Sequence, residues 1–311
     1  MRVFRQTLVF AASMALLATV PPAPASAAFP GQSGLIAFVR GGDIFSISPT
    51  GSGLRQLTST GNNDSPSWSP DGKKIAFTST RNGNWDIFLM TATGSGVTAV
   101  TTRSSNETDP AWSPDGRQLA FASDRYSVDD IYRIKSTAPY GTARRLTVSG
   151  VDADGYYTCD YSQPTWGTPG DRIIATYFCI SSGDKGASSR EFNAADGSGI
   201  HGVAGGGGYA ADRAPKAQRI VVSAVPSADD AVILRVNTDG TGAVVLTETG
   251  AKNGSYTWSY FPAWSPDGGS IVWAYDPYDA PAGIYVMKAD GSRKHLIVSD
   301  GTQPDWQPLP A

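Results

Sequence analysis

The chemistry open to this sequence rests on a small set of residues: two histidines, two cysteines, and some acidic and aromatic side chains. His201 and His295 stand far from one another and from the cysteines. A histidine-built metal site or a His-assisted lyase needs several converging ligands, so each reads as a surface or packing residue. No G-x-S-x-G occurs, so the nucleophile elbow of the α/β-hydrolases is missing. Asp152-Ala153-Asp154-Gly155 opens like a calcium loop but lacks the later oxygen ligands and the closing Glu, and reads as a turn. Asp64, Glu107 and Asp109 could gather at a cavity mouth and hold a cation, but acidic loop residues without a metal are commoner. No catalytic residue, metal ligand or cofactor is assigned on this basis.

Binding chemistry is better represented. Tyr156, Tyr157 and Tyr161 form one aromatic group, Tyr256, Trp258, Tyr260 and Phe261 a second, and Tyr275 and Tyr278 a third. Tyr and Trp offer flat apolar area with a polar handle, which suits sugar rings or peptide side chains. The plainer reading is that they pack long loops onto a rim.

Something must position these groups, and composition limits what. Hydrophobic residues make up 40% of the 311 and charged residues 17%, a core-forming balance. The 35 Gly and 21 Pro point to short strands with many turns. Residues 1–27 read as a signal peptide: Arg2 and Arg5, an apolar run over residues 8–20, then Ala25-Ser26-Ala27 as cleavage signature. The expected product is secreted or periplasmic, with residues 28–311 as one domain. The net charge of −3 becomes more negative once Arg2 and Arg5 are lost, and no basic run remains. Nucleic acid and anionic membranes are therefore poor partners, no membrane span is expected, and the chain is expected to be a monomer.

One pattern recurs along the chain. SPSWSPDGKKIAFTS (65–79), DPAWSPDGRQLAFAS (109–123) and FPAWSPDGGSIVWAY (261–275) are near copies, and QPTWGTPGDRIIATY (163–177) is weaker. Trp68, Trp112, Trp166, Trp264 and Trp306 share one phase, with Arg213 in the remaining place. A spacing of roughly 40–55 residues suits four strands per repeat. Strand A carries the Trp, S-P-D-G turns the chain, strand B alternates, strand C begins D-I-[FY], and strand D ends near Leu-Thr. Pro66, Pro110, Pro164, Pro262 and Pro304 lie two residues before the Trp, as befits an innermost strand with one free edge. The N-terminal GLIAFVR lacks a strand A, and the C-terminal TQPDWQP supplies one. The expected fold is an all-β, six-bladed β-propeller with four-stranded antiparallel blades, its ring closed by the C-terminal strand.

The W-S-P-D-G-x-x-[IL]-A-F-x-S core followed by D-I-[FY] resembles the TolB-type propeller repeat, and also the propellers of prolyl-oligopeptidase-type peptidases. TolB proteins carry an α/β domain before the propeller, and with the first repeat starting near Leu35 no such domain is expected here. The resemblance therefore implies the fold and not the Tol–Pal partners.

Cys159 and Cys179 are expected to form a disulfide in the exported protein. Carrying the register of the Trp68 hairpin over to the Trp166 hairpin brings them opposite one another. The loops leading into strands A and C share one face. That face is expected to bind ligand through Tyr156, Tyr157, Tyr161, Tyr256, Trp258, Tyr260, Tyr275 and Tyr278, with Asp64 and Asp109 nearer the channel. The function expected is a non-catalytic binding or scaffold protein for a protein, peptide or glycan. The alternative is a metal-assisted lyase or lactonase with its site at the central channel. A regulatory propeller serving a separate enzyme is a third possibility.

Overall fold

The computed structural model describes residues 31–151, 158–167, 170–180, 185–203, 208–227, 230–247, 257–277 and 281–309. Every regular element among them is a β-strand. The strands form sheets arranged around a central channel, with one strand A of each repeat innermost.

The first sheet joins both ends of the described chain: Thr302–Leu309 pairs with Gln32–Arg40, followed by Asp43–Ile47 and Arg55–Gln56. Asn63–Trp68, Lys74–Ser79, Asp86–Thr91 and Thr98–Ala99 form the second. Glu107–Trp112, Gln118–Ser123, Asp130–Lys135 and Arg144–Arg145 form the third.

Beyond this the expectation of six separate four-stranded antiparallel blades fails. The hydrogen bonding gives five sheets, and only three of them are four-stranded. The fourth has five strands, because Gly150–Val151 folds back onto Thr158 and Cys159. The fifth has eight, because Ala231 and Trp258 form a parallel bridge that fuses residues 208–245 to residues 257–299. Both departures have one physical cause. The innermost strands Thr158–Trp166 and Thr257–Trp264 begin earlier, relative to their Trp, than the six-residue strands of the second and third sheets. Their extra residues offer unpaired backbone groups, which recruit further partners.

The repeated residues explain the packing. Trp68 is fully buried, and Trp112, Trp166, Trp264 and Trp306 nearly so. Trp68, Ile75 and Phe77 of the second sheet pack against Ala37, Ile44 and Leu57 of the first, so the Trp fills the space between neighbouring sheets. In S-P-D-G the Ser hydroxyl donates to the Asp carboxylate at 2.6–2.7 Å, and that oxygen also accepts an N–H two residues on. The D-I and L-T motifs are halves of one clasp. Thr58, Thr101 and Thr147 donate to Asp43, Asp86 and Asp130 at 2.8–3.0 Å and accept the N–H of Ile44, Ile87 and Ile131.

Cys159 and Cys179 face each other in register and are disulfide-bonded.

The seam between the second and third sheets holds two buried acids close enough to interact, Asp86 and Glu107. Burial raises Asp86 to about 6, and the Glu107 charge adds to the rise. The preceding seam has Asn63 in the place of Glu107, and its amide donates to Asp43 at 3.2 Å. Between an ordinary pKa near 4 and about 6, the folded protein holds a proton on Asp86 that the unfolded chain releases. This contribution to stability therefore falls as pH rises through that window. Asp86→Asn should abolish it and raise stability at pH 8 by about 1 kcal/mol, since Asn can donate to the unpartnered Glu107 Oε2. Thermal melts at pH 4.5 and 8 check this, and a variant no more stable than the parent at pH 8 would show that Asp86 carries no such cost.

Candidate functional site

Each innermost strand carries one residue in the left-handed region: Ser65, Asp109, Gln163, Ala210, Phe261 and Gln303, with φ from 46° to 52°. Proline follows five of the six. Such backbone costs about 1–3 kcal/mol per non-glycine residue and persists only where the surroundings enforce it. Here a β-bulge coincides with it in five strands, between Asp64 and Ser67, Thr108 and Ala111, Ser162 and Thr165, Tyr209 and Asp212, and Tyr260 and Ala263. In the sixth, pairing is irregular around Gln303 as well. The bulges turn the residues on either side of the proline towards the channel, a cavity of about 170 Å³.

These residues bond from strand to strand around the ring. Gln303 Oε1 accepts the Ser65 N–H at 3.0 Å, and Ser65 Oγ donates to Asp109 at 2.7 Å. Asp109 accepts the Gln163 N–H at 3.2 Å, and Gln163 Oε1 accepts the Ala210 N–H at 3.1 Å. One layer deeper, Asp305 accepts the Trp68 N–H at 2.6 Å and Asp212 the Trp264 N–H at 2.7 Å. Asp109, Asp212 and Asp305 all line the cavity, which no Lys or Arg lines.

Burial pushes Asp305 up to about 7, Asp212 to about 6, and Asp109 upwards. Asp64 rises to about 6, mainly by burial, with Asp109 adding to it. The carboxylates hold neighbouring strands together through backbone N–H groups. Among the described residues no three His, Cys, Asp or Glu side chains come together as metal ligands.

Asp305 has a pH consequence. Between about 4 and about 7 the folded protein keeps a proton on Asp305 that the unfolded chain gives up, so stability falls as pH rises through that range. Asp212 titrates beside it, in the same direction. Asp305→Asn keeps the acceptor for the Trp68 N–H and should flatten the fall in Tm between pH 5 and pH 8. An unchanged slope would show that Asp305 is not the group responsible.

The aromatic residues expected at the site are placed unevenly. Trp258 and Tyr260 stack at 6.4 Å, and Tyr260 meets Phe261, which lines the channel, at 6.0 Å. Tyr275 stands edge-on to Tyr285 at 5.2 Å. Tyr161 is 4% exposed and packs on Tyr177 and Phe192 in the core. Asp64 accepts the Ser65 N–H at 2.7 Å beside Asp109. Tyr156, Tyr157, Tyr256 and Tyr278 lie outside the described residues.

His295 and His201 are both exposed, and His201 Nε2 lies 3.3 Å from Glu191. Arg81 donates to Asn63 at 2.9 Å and Arg125 to Glu107 at 3.1 Å. Sequence reasoning missed Asp212, Asp305, Gln163 and Gln303. The signal for Gln163, Gln303 and Asp305 was the pair of positions flanking the proline in the x-P-x-W frame, and Asp212 holds the same phase in the copy that has lost both Pro and Trp.

Residues 44–261 match the TolB beta propeller domain. Among solved structures, the chain is similar to TolB from Acinetobacter baumannii, with TM-score 0.70 and 19% identity over 90% of this chain and 67% of that one. A putative TolB from Agrobacterium tumefaciens gives TM-score 0.65 and 20% identity over 88% and 91% of the two chains. An oligogalacturonate lyase in complex with manganese gives TM-score 0.53 and 13% identity over 86% and 73%. At such identities the likeness carries the fold alone. No curated protein matches the sequence. The matched residues span well over half of the sequence, and the chain belongs to the TolB β-propeller family.

Proposed function

We propose that this protein is an exported, non-catalytic binding or scaffold protein, which engages a protein, peptide or glycan on the face where the chain enters strands A and C. The observation that carries this reading is the contrast between the two faces. One is built of tight turns, Ser69–Gly72, Ser113–Gly116 and Ser265–Gly268, closed by short hydrogen bonds with little to vary. The other presents Trp258, Tyr260 and Phe261 in sequence beside an acid-lined channel. Aromatic residues arranged this way are typical anchors of binding surfaces. The family and the disulfide are consistent with export. Among the described residues no helix is long and apolar enough to cross a membrane.

The test is a pull-down from envelope and secreted material with the parent protein and with Trp258→Ala/Tyr260→Ala, alongside a glycan array. A partner retained by the parent and lost by the folded double variant supports this face, and equal retention discards it. Metal analysis addresses catalysis, since a stoichiometric divalent ion required for lyase or lactonase turnover would overturn the non-catalytic reading. N-terminal sequencing of protein recovered outside the cytoplasm should begin at Ala28.

A further inference from the structure

The seam where the last strands meet the first differs from the seams that follow it. In the second and third sheets, the loop from strand B to strand C carries an arginine that folds back over an aromatic pair. Arg81 lies 5.2 Å from the Phe77 ring and 4.9 Å from Phe88, and bonds Asn63. Arg125 lies 5.7 Å from Phe121 and 4.0 Å from Tyr132, and bonds Glu107. The fold fills this place twice with its own guanidinium and a polar partner.

The first sheet has neither group. Its loop shrinks to Gly41-Gly42 between Gln32–Arg40 and Asp43–Ile47. The position of Asn63 and Glu107, five residues before the Trp, is Gly301. The Phe38–Phe45 pair remains, at 5.9 Å, with no arginine over it among the described residues. A cavity of about 340 Å³ lies at this seam, bounded by Gly41, Gly42 and Gly301 on one side and by Tyr260, Tyr275 and Asp276 on the other. Arg40 and Asp300 also line it. Among the described residues Arg40, Asp276 and Asp300 have no ion-pair partner, although charges of both signs share the cavity.

The volume is that of a small-molecule site. Tyr260 continues outward into its stack with Trp258, which extends an aromatic surface from the cavity along the strand. Arg40 offers only donors, and the two carboxylates, when ionised, only acceptors. A ligand with a single charge would leave one sign unanswered. A ring bearing adjacent hydroxyls can accept from the guanidinium, donate to the carboxylates and lay its C–H face on tyrosine.

We propose that the seam cavity formed by Arg40, Tyr260, Tyr275, Asp276 and Asp300 binds one sugar unit of a glycan. This rests on the proposed binding role and narrows it to a pocket beside the channel. The test uses the full mature chain on a glycan array, followed by calorimetric titration with the best-bound oligosaccharide. Arg40 and Asp276 make no described side-chain hydrogen bond, so Arg40→Ala and Asp276→Asn should fold. Each is expected to weaken glycan binding at least tenfold.

Glycan binding that survives both substitutions overturns the pocket and leaves the face reading intact. A protein partner that depends on Trp258 and Tyr260, with no glycan bound, overturns the sugar assignment and keeps the binding role. Neither a glycan nor a partner would remove both.

Discussion

Deleting residues 302–311, which include the strand Thr302–Leu309, is expected to leave a chain that no longer folds as a stable monomer. That strand is the innermost of the first sheet and pairs with Gln32–Arg40, more than 260 residues away in sequence. Trp306 is 4% exposed and packs with Ile36, Phe38, Ala263 and Val272, on both sides of the seam. Gln307 accepts the Leu35 N–H at 3.0 Å and donates to Gly72 O at 2.8 Å, fastening the strand to its own sheet and to the next. Asp305 holds the Trp68 N–H. Losing a buried Trp alone costs about 3–5 kcal/mol, against a total stability of about 5–15 kcal/mol. Deletion would also expose the long edge of Gln32–Arg40, which invites association. Size-exclusion chromatography and a thermal melt are the readouts, with Trp306→Ala as a graded variant that should still fold at lower temperature. A truncated chain that stays monomeric with an unchanged Tm would refute closure by this strand.

That closure was legible because the repeat was incomplete at both ends. GLIAFVR has strand B residues without a Trp arm, and TQPDWQP has the arm without a strand B. The cysteine pair was legible for a similar reason, since register transfers between hairpins with equivalent turns. The sheet count was not legible. Sequence phase reports where a Trp falls, but not how far a strand continues before it, and the early start of Thr158–Trp166 and Thr257–Trp264 changed the grouping. Tyr161 is buried for a different reason: it holds the position of Asn63 and Glu107, five residues before the Trp, which the shorter strands bury as well, whereas loop-like surroundings in the sequence suggested exposure. Asp109 was placed near the channel from the sequence, but Asp212 and Asp305 were hidden by the bulge. Simple alternation does not foresee a residue at φ near 50°, so the side chains flanking the proline could not be aimed from sequence alone.

Glu191→Ala should be the most damaging single substitution in the weak part of the repeat. Arg213 occupies the place that Trp holds elsewhere, and is 6% exposed. Its guanidinium packs so closely on the preceding hairpin that a Cβ on Gly167 would lie 3.2 Å from it. Glu191 pairs with Arg213 through Oε1, and through Oε2 lies 3.6 Å from Arg172 and 3.3 Å from His201. Truncating one partner of a buried ion pair leaves the other charge without compensation, at a cost of about 3–5 kcal/mol. For a chain of this size that means a fall in Tm on the order of 10 °C. The charge, not the lost volume, should carry most of the effect. Glu191→Leu combined with Arg213→Met removes both charges and keeps apolar bulk in the space. It should therefore melt well above Glu191→Ala, as buried pairs replaced by apolar residues often do. Thermal melts of the parent, Glu191→Leu, Arg213→Met and the double variant give the coupling directly, with Glu191→Ala melted alongside. Costs that simply add, or a Glu191→Ala protein within a degree or two of the parent, would show that the pair does not hold this seam.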